Sequence, residues 1–331
     1  MKEYDFIAIG DTVIDAFIRL KDAEARCDEN RKNCKLIMDF GAKIPYEAVY
    51  ELPAVGNSAN ASVAAARLGL SSALISNIGD DMYGEKCMTR LKDENVSTEY
   101  VIKHEGKKTN YHYVLWFQDE RTILIKHEVY HYTLPSHLTP PKWLYLSSLG
   151  KDAEDFHDSI TEYLQKHPHT KLAFQPGTFQ LKLGLERLKG LYARTEVFVC
   201  NVEEAQSLTG DLKDEVSTLL KTIHAHGPKI VVITDGPRGA YLMHENKIYF
   251  MPPYPDQKPP LERTGAGDAF ASTFVAALAL GLSPEEAIRW APINSASVVQ
   301  YVGAQKGLLT KEELEQNLHA APVSYKLQEI V

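Results

Sequence analysis

Glu262-Arg263-Thr264-Gly265-Ala266-Gly267-Asp268-Ala269-Phe270 is a turn of nearly side-chain-free residues that runs into an acid and then into an apolar helix. Gly265, Ala266 and Gly267 form the turn, and the apolar run continues to Leu280 and stops at Gly281. The first N–H groups of a helix have no intrahelical acceptor, and the helix dipole adds partial positive charge behind them. Such a turn is an anion site. Asp268 places a carboxylate beside it. One reading makes Asp268 an ordinary acid that stabilises the first helical turn. The sharper reading makes it a base, held ionised by the helix end, that takes a proton while a phosphoryl group rests on the neighbouring amides.

The 331 residues suffice for one large or two modest domains with a real core. Hydrophobic residues make up 44% and charged residues 24%, and the net charge is −8. That balance gives no electrostatic reason to expect nucleic acid or an anionic membrane as partner. No apolar run approaches the ~20 residues a membrane span needs, and Met-Lys-Glu-Tyr-Asp leads straight into a strand-like segment. A cytoplasmic protein is the expectation. Cys27, Cys34, Cys87 and Cys200 show no C-x-x-C and no metal spacing, so reduced thiols are expected as well.

Phe6 to Gly10 reads as a buried strand of a parallel sheet, with Asp11 and Asp15 near its carboxyl end, where open α/β sheets bind ligands. Each acid is either a hydroxyl acceptor or a turn and surface residue. Ala16 to Leu20 and Leu36 to Phe40 read as strands, the polar run Lys21 to Lys35 as exposed, and Pro45 as a breaker. Val55-Gly56-Asn57-Ser58-Ala59-Asn60 opens an alanine-rich helix, with Asn57 or Ser58 as N-cap and Gly69 just past the end. Asn57 and Asn60 share one face of the first turn and can both reach a polyol. The residues from Lys108 to Leu115 and from Arg121 to Lys126 predict a hairpin with about four residues in its turn. The hairpin and the 16–52 strands together predict a small lid sheet. His127, His131 and His137 have no metal spacing.

From Trp143 onward, strand and helix alternate at a spacing that predicts a mainly parallel sheet with helices on both faces. Asn201 and Glu204 stand where a strand gives way to a helix. They read as a capping box, or as an amide and carboxylate holding Mg2+ through water near a phosphate. Lys229 to Thr234 is a buried strand, Asp235 to Gly239 turns the chain, and two further strands form an antiparallel edge. Helices are expected over Pro284 to Tyr301 and Lys311 to Ala320.

The order of these parts resembles the ribokinase or PfkB-type carbohydrate kinases over nearly the whole chain. The resemblance rests on Thr264 to Phe270, on Gly56/Asn57/Asn60 followed by Ala-Ala-Arg-Leu-Gly, on Ile78-Gly79-Asp80-Asp81-x-x-Gly84, on Asn201-x-x-Glu204 and on Thr234-Asp235-Gly236-x-x-Gly239. It implies a ribokinase-like α/β domain over 1–331, with lid segments inserted at about 16–52 and 107–130. It also implies transfer of the γ-phosphoryl group of ATP, with Mg2+, to a hydroxymethyl group of a small sugar. Asp268 would be the base, and the N–H groups of Gly265, Ala266, Gly267 and Asp268 the anion hole. Asp11, Asp15, Gly56, Asn57 and Asn60 would bind the sugar. Asn201 and Glu204 would serve metal and phosphate. Thr234, Asp235, Gly236, Gly239 and Asn294 would serve the nucleotide. A homodimer through the lid is in keeping with the family. Glu262-Arg263 departs from the family's usual Asp-Thr, which frames a monovalent-cation site in many members. K+ activation is therefore left open, with Arg263 as one group able to replace the ion. Val55-Gly56 departs from the usual Gly-Gly.

Two rivals stand on the same scaffold. A nucleoside kinase would stack a base on Tyr111, Tyr113, Trp116 or Phe117, and a silent sugar-binding regulator would have no use for Asp268. A dinucleotide oxidoreductase is disfavoured because no Gly-x-Gly-x-x-Gly follows the first strand.

Overall fold

Phe6–Ile9 is the strand around which the main sheet is laid, and all four of its residues are buried. It pairs in parallel with Ser72–Gly79 on one side and Trp143–Leu146 on the other. The computed structural model describes residues 3–28, 34–118, 120–210, 215–256 and 258–330. Beyond Trp143–Leu146 the parallel order continues through Lys171–Phe174, Thr195–Asn201 and Ile230–Thr234. Ala240–His244, Lys247–Met251 and the short C-terminal strand Gln328–Glu329 then close that side antiparallel. Parallel neighbours need long crossovers, and helices supply them on both faces.

Alternation along the strands splits the core in two. Phe6 and Ala8 face the cluster built on Asn57–Arg67, Ala266–Ala279 and Pro284–Val298. Ile7 and Ile9 face the cluster of Phe156, Ile160, Leu220 and Ile223. The alanines of Asn57–Arg67 are almost wholly buried, which lets that helix lie close to the sheet and to the helix that carries Asp268.

A separate four-stranded sheet has the order Glu120–Leu124, Tyr111–Phe117, Val13–Leu20, Tyr46–Val55. Only three residues separate the opening strand from Val13, so the chain steps directly from the core sheet into this second one. Its four strands come from the segments expected to form a small separate sheet, with one exchange. The expected strand over Leu36 to Phe40 is not part of it. Lys35–Ile37 pairs instead with Glu24–Arg26 in a small ribbon, and Tyr46–Val55 takes the edge of the four-stranded sheet. Pro53 is tolerated there because an edge strand has N–H groups to spare. The hairpin connection is also shorter than expected, with Gln118 at φ 58° and only two residues between the strands. Asp119 of that turn, and residues 29–33 of the polar run, lie outside the described residues.

The ribbon overturns the expectation of reduced thiols throughout. Arg26 pairs with Lys35, which places Cys27 and Cys34 opposite each other with Cα atoms 4.0 Å apart, and they form a disulfide. Cys87 and Cys200 are free and buried. The helix expected over Leu181 to Leu191 is two pieces, Thr178–Arg187 and Lys189–Arg194, and Gly184 inside the first has φ 74°. The helix Val216–Ala225 has no counterpart in the reading above. Among the described residues no helix is long and apolar enough to cross a membrane.

Candidate active site

The carboxyl ends of the parallel strands converge on one cleft. Asp11, Ser148, Gln175, Asn201 and Thr234 end or follow five of those strands, and all line one cavity of about 420 Å3. This is the position where an open α/β sheet leaves a crevice. Asp268 faces the same cavity from the first turn of Ala266–Ala279.

Three side-chain amides hold the Asp268 carboxylate. Asn57 donates to Oδ1 at 2.9 Å, Asn60 to Oδ2 at 2.8 Å, and Gln175 to Oδ1 at 3.2 Å. A further layer holds these amides in turn. Gln305 donates to Asn60 Oδ1, and Tyr145 donates to Gln175 Oε1. Asn57 is therefore not an N-cap. Gly56 takes that position at φ 111° with no side-chain cap, because a Cβ there would meet the Asp11 carbonyl oxygen at 2.7 Å. Gly69, at φ 93°, stands just past the helix end as expected. The amides of Asn57 and Asn60, expected to reach a polyol, are directed at the acid.

The electrostatics of Asp268 differ from the sequence expectation. The carboxyl opens on the cavity but is walled by protein, and this desolvation pushes its pKa above the usual aspartate value. The hydrogen bonds from Asn60, Gln175 and Asn57 and the charge of Arg121 pull it back down. Burial outweighs the helix end because removing water penalises the charged form directly. A base with a raised pKa is also the better proton acceptor.

The turn in front of Asp268 has the geometry of an anion cradle. Gly265 is the N-cap at φ 80° with no side-chain cap, and its Cα face lies against Ala304, which a Cβ would meet at 2.2 Å. The N–H groups of Ala266, Gly267 and Asp268 have no intrahelical acceptor. A Cβ on Gly267 would meet nothing within 4 Å, so the turn opens on empty space. A second cavity, about 690 Å3, lies on the far side of it and shares Thr234, Arg263 and Gly267 with the first. Two compartments thus meet at the anion turn.

Of the residues expected to serve a nucleotide, the second cavity collects Thr234, Gly236 and Gly239. It does not collect Asp235 or Asn294. The Asp235 carboxylate is held by Arg238. Asn294 is fully buried, donates to Thr273 Oγ1 at 2.8 Å and accepts from the Leu309 N–H at 2.9 Å. Its neighbours Ser295 and Ala296 face the cavity instead, because successive residues of a helix point about 100° apart.

Asn201 and Glu204 satisfy the structural reading in full. Asn201 Oδ1 accepts from the Glu204 N–H at 2.8 Å, and Glu204 Oε2 accepts from the Asn201 N–H at 2.9 Å. Both also line the first cavity. Burial pushes the Glu204 carboxyl up, the Asn201 N–H pulls it down, and the charge of Asp268 pushes it up again. Among the described residues no group of three or more His, Cys, Asp or Glu can hold a metal ion. A Mg2+ ion would therefore have to bring most of its oxygen ligands with it, from nucleotide phosphates and water, with Glu204 able to reach it through water.

Asp11, Asp15 and Gly56 line the first cavity as implied. Gln175, Arg121 and His112, which the sequence does not single out, line it too, as does His127, which reads in the sequence only as a histidine without a metal spacing. Gln175 has only one signal, its place at a strand's carboxyl end. Arg121 stands on Glu120–Leu124 with Nε 3.8 Å from Glu262 Oε1. Glu262 is fully buried and accepts from the N–H and hydroxyl of Thr264, and the Arg121 guanidinium of the second sheet stands beside it. None of Tyr111, Tyr113, Trp116 and Phe117 lines either cavity. Trp116 is buried under Arg19 and donates to the Gln118 carbonyl, and Tyr111 packs on Tyr83 and donates to Glu51.

Comparison with known proteins gives a consistent result. The family model described as pfkB family carbohydrate kinase matches residues 28–311. The ribokinase of Bacillus subtilis (strain 168) is 28% identical over 275 residues, which is 80% of this chain and 87% of that protein. Among solved structures, Arabidopsis thaliana ribokinase complexed with ribose and ATP superposes with a TM-score of 0.77 at 19% identity, covering 96% of this chain and 99% of that one. The nucleoside kinase of Methanocaldococcus jannaschii gives 0.75 at 16% identity, covering 97% and 100%. The two structural likenesses establish the fold alone.

Proposed function

The chain belongs to the pfkB family of carbohydrate kinases, and we propose that it moves the γ-phosphoryl group of ATP to a hydroxymethyl group of a small, ribose- or ketohexose-like sugar. The observation that carries this reading is the junction of two cavities at one turn, with a fully hydrogen-bonded carboxylate on one side of it. The nucleotide lies in the larger cavity against Thr234, Gly236 and Gly239, and the sugar in the smaller one.

The acceptor hydroxyl approaches Asp268 at the mouth of the turn. As its oxygen bonds to the γ-phosphorus, its proton passes to Asp268, the bond from phosphorus to the bridging oxygen breaks, and ADP leaves. Prior ionisation of the hydroxyl is unnecessary, because positioning and charge stabilisation supply most of the acceleration. The amides of Gly265 to Asp268 receive the charge on the transferred oxygens. Arg121 and Arg263 bring positive charge to the same place. Mg2+, when bound with the nucleotide, neutralises phosphate charge. The four-stranded sheet serves as a lid that keeps water from the phosphoryl group.

Acceptance of a nucleoside would require an aromatic surface for the base. None of Tyr111, Tyr113, Trp116 and Phe117 lines the smaller cavity, so the sugar reading is favoured. A silent regulator would not need three amides trained on Asp268. The test is a screen of pentoses, hexoses and nucleosides with ATP and Mg2+, following ADP release. Transfer to nucleosides alone would reject the sugar, and no transfer to any acceptor would reject the activity.

A further inference from the structure

Four buried polar atoms of residues lining the acceptor cavity have no hydrogen-bond partner: Arg121 Nε, which stands 3.8 Å from Glu262 Oε1, and Asp15 Oδ1, His112 Nε2 and His127 Nδ1. The second sheet brings them together. Asp15 on Val13–Leu20 is the cross-strand neighbour of His112 on Tyr111–Phe117, and His127 follows Glu120–Leu124. The two imidazole rings are 5.2 Å apart, and Phe179 packs edge-on against His127. His112 Nδ1 comes within 3.4 Å of Asp15 Oδ1, and His127 Nδ1 within 3.6 Å of Asp11 Oδ2, but neither approach closes into a hydrogen bond. Asp11 is held from elsewhere, since Tyr132 donates to its two oxygens at 2.9 and 3.1 Å. A buried polar atom without a partner costs about 1–3 kcal/mol, so the three that cluster around Asp15, apart from Arg121 Nε beside Glu262, mark a set that a ligand completes.

Hydrogen-bond chemistry decides what kind of ligand. Asp15 Oδ1 only accepts, so its partner must donate. A hydroxyl group donates and accepts at once, and therefore satisfies Asp15 and an imidazole nitrogen together. A carboxylate or phosphate oxygen has no proton to give. Charge points the same way. Asp11, Asp15, Glu204 and Asp268 line this cavity against Arg121 and Arg263, and a further anion beside Asp11 and Asp15 would be repelled. Ile123 and Ile125 complete the wall with an apolar surface suited to the C–H face of a sugar.

We propose that His112 and His127 are specificity-determining residues of the acceptor site, and that with Asp15 they select an uncharged sugar through its hydroxyl groups and exclude sugar acids and sugar phosphates. The proposal rests on the kinase reading above. The full-length chain is assayed by ADP release with ATP and Mg2+ against neutral pentoses and hexoses, the corresponding sugar acids, and the corresponding sugar phosphates. A neutral sugar is expected to exceed its charged counterparts by about tenfold or more in kcat/KM. His112→Ala and His127→Ala are each expected to raise the KM for that sugar about 10–100-fold, the equivalent of one or two hydrogen bonds, and to leave the KM for ATP in place. His112→Gln, with an amide near the lost Nε2, and His127→Asn, with one near the lost Nδ1, should recover part of the loss. These two variants also decide the matter if an alanine variant does not fold. Preference for a charged sugar or a nucleoside, or an unchanged acceptor KM in the folded variants, overturns the proposal and leaves the kinase reading intact. Absence of transfer to every acceptor removes both.

Discussion

Asp268 and Asp15 face the same cavity from opposite kinds of surroundings. Asp268 stands on a core helix, and both its oxygens accept from amides that are themselves held in place. Asp15 stands on a strand of the second sheet, and one of its oxygens has no partner. On the proposed reading, the chemistry is assembled before the substrate arrives, and the recognition is not. This division suits a transferase. A base fixed in advance costs no reorganisation in the transition state, whereas a polar set completed only by the correct acceptor ties lid closure to the presence of that acceptor.

The largest effect should come from removing the fixed side. Asp268→Asn is expected to lower kcat about 10²-fold or more while the KM for ATP changes little, because the nucleotide cavity does not include that side chain. Steady-state kinetics of the purified variant check this, and near-normal turnover would remove Asp268 as the base. Arg121 connects the two sides, since it stands on the lid and reaches toward Glu262 and Asp268. Arg121→Ala should lower kcat about 10–100-fold. The wild-type chain should show no dependence on K+, because a guanidinium already balances Glu262. A several-fold stimulation of the wild type by K+ would show that the ion, not Arg121, fills that role.

A smaller effect sharpens the electrostatic side. Asp268 has a raised pKa and must be ionised to accept a proton. Activity should therefore fall, as the pH is lowered, at a pH above the ordinary aspartate range. Asn60 stabilises the charged form, so Asn60→Ala should move that acid limb to still higher pH and lower kcat about tenfold. A pH profile of kcat/KM for the two proteins measures it. An acid limb that stays in place would mean that Asn60 positions Asp268 without tuning it.

Much of the fold could be read from local pattern. The buried strands, their alternation with helices, the anion turn and the Asn201–Glu204 capping box all depend on residues a few positions apart. The errors came where distant parts of the chain compete. Tyr46–Val55 displaced the expected strand over 36–40 because it pairs with Val13–Leu20, and nothing between Pro45 and Pro53 announces that partner. Asn294 lies on the inward face of its helix while its neighbours Ser295 and Ala296 line the larger cavity, an orientation that depends on the packing of Thr273 and Leu309 against it. His127 had been set aside as a histidine without a metal spacing. Its neighbour His112 lies fifteen positions away along the chain but 5.2 Å away between rings.

By itself the sequence determined that a glycine-bounded turn would open a buried helix and expose amides to an anion, because backbone geometry and dipole are local properties. Tertiary structure alone decided what Asp268 touches and how acidic it is. Its partner Asn57 lies 211 residues away, and desolvation depends on every atom packed around the cleft.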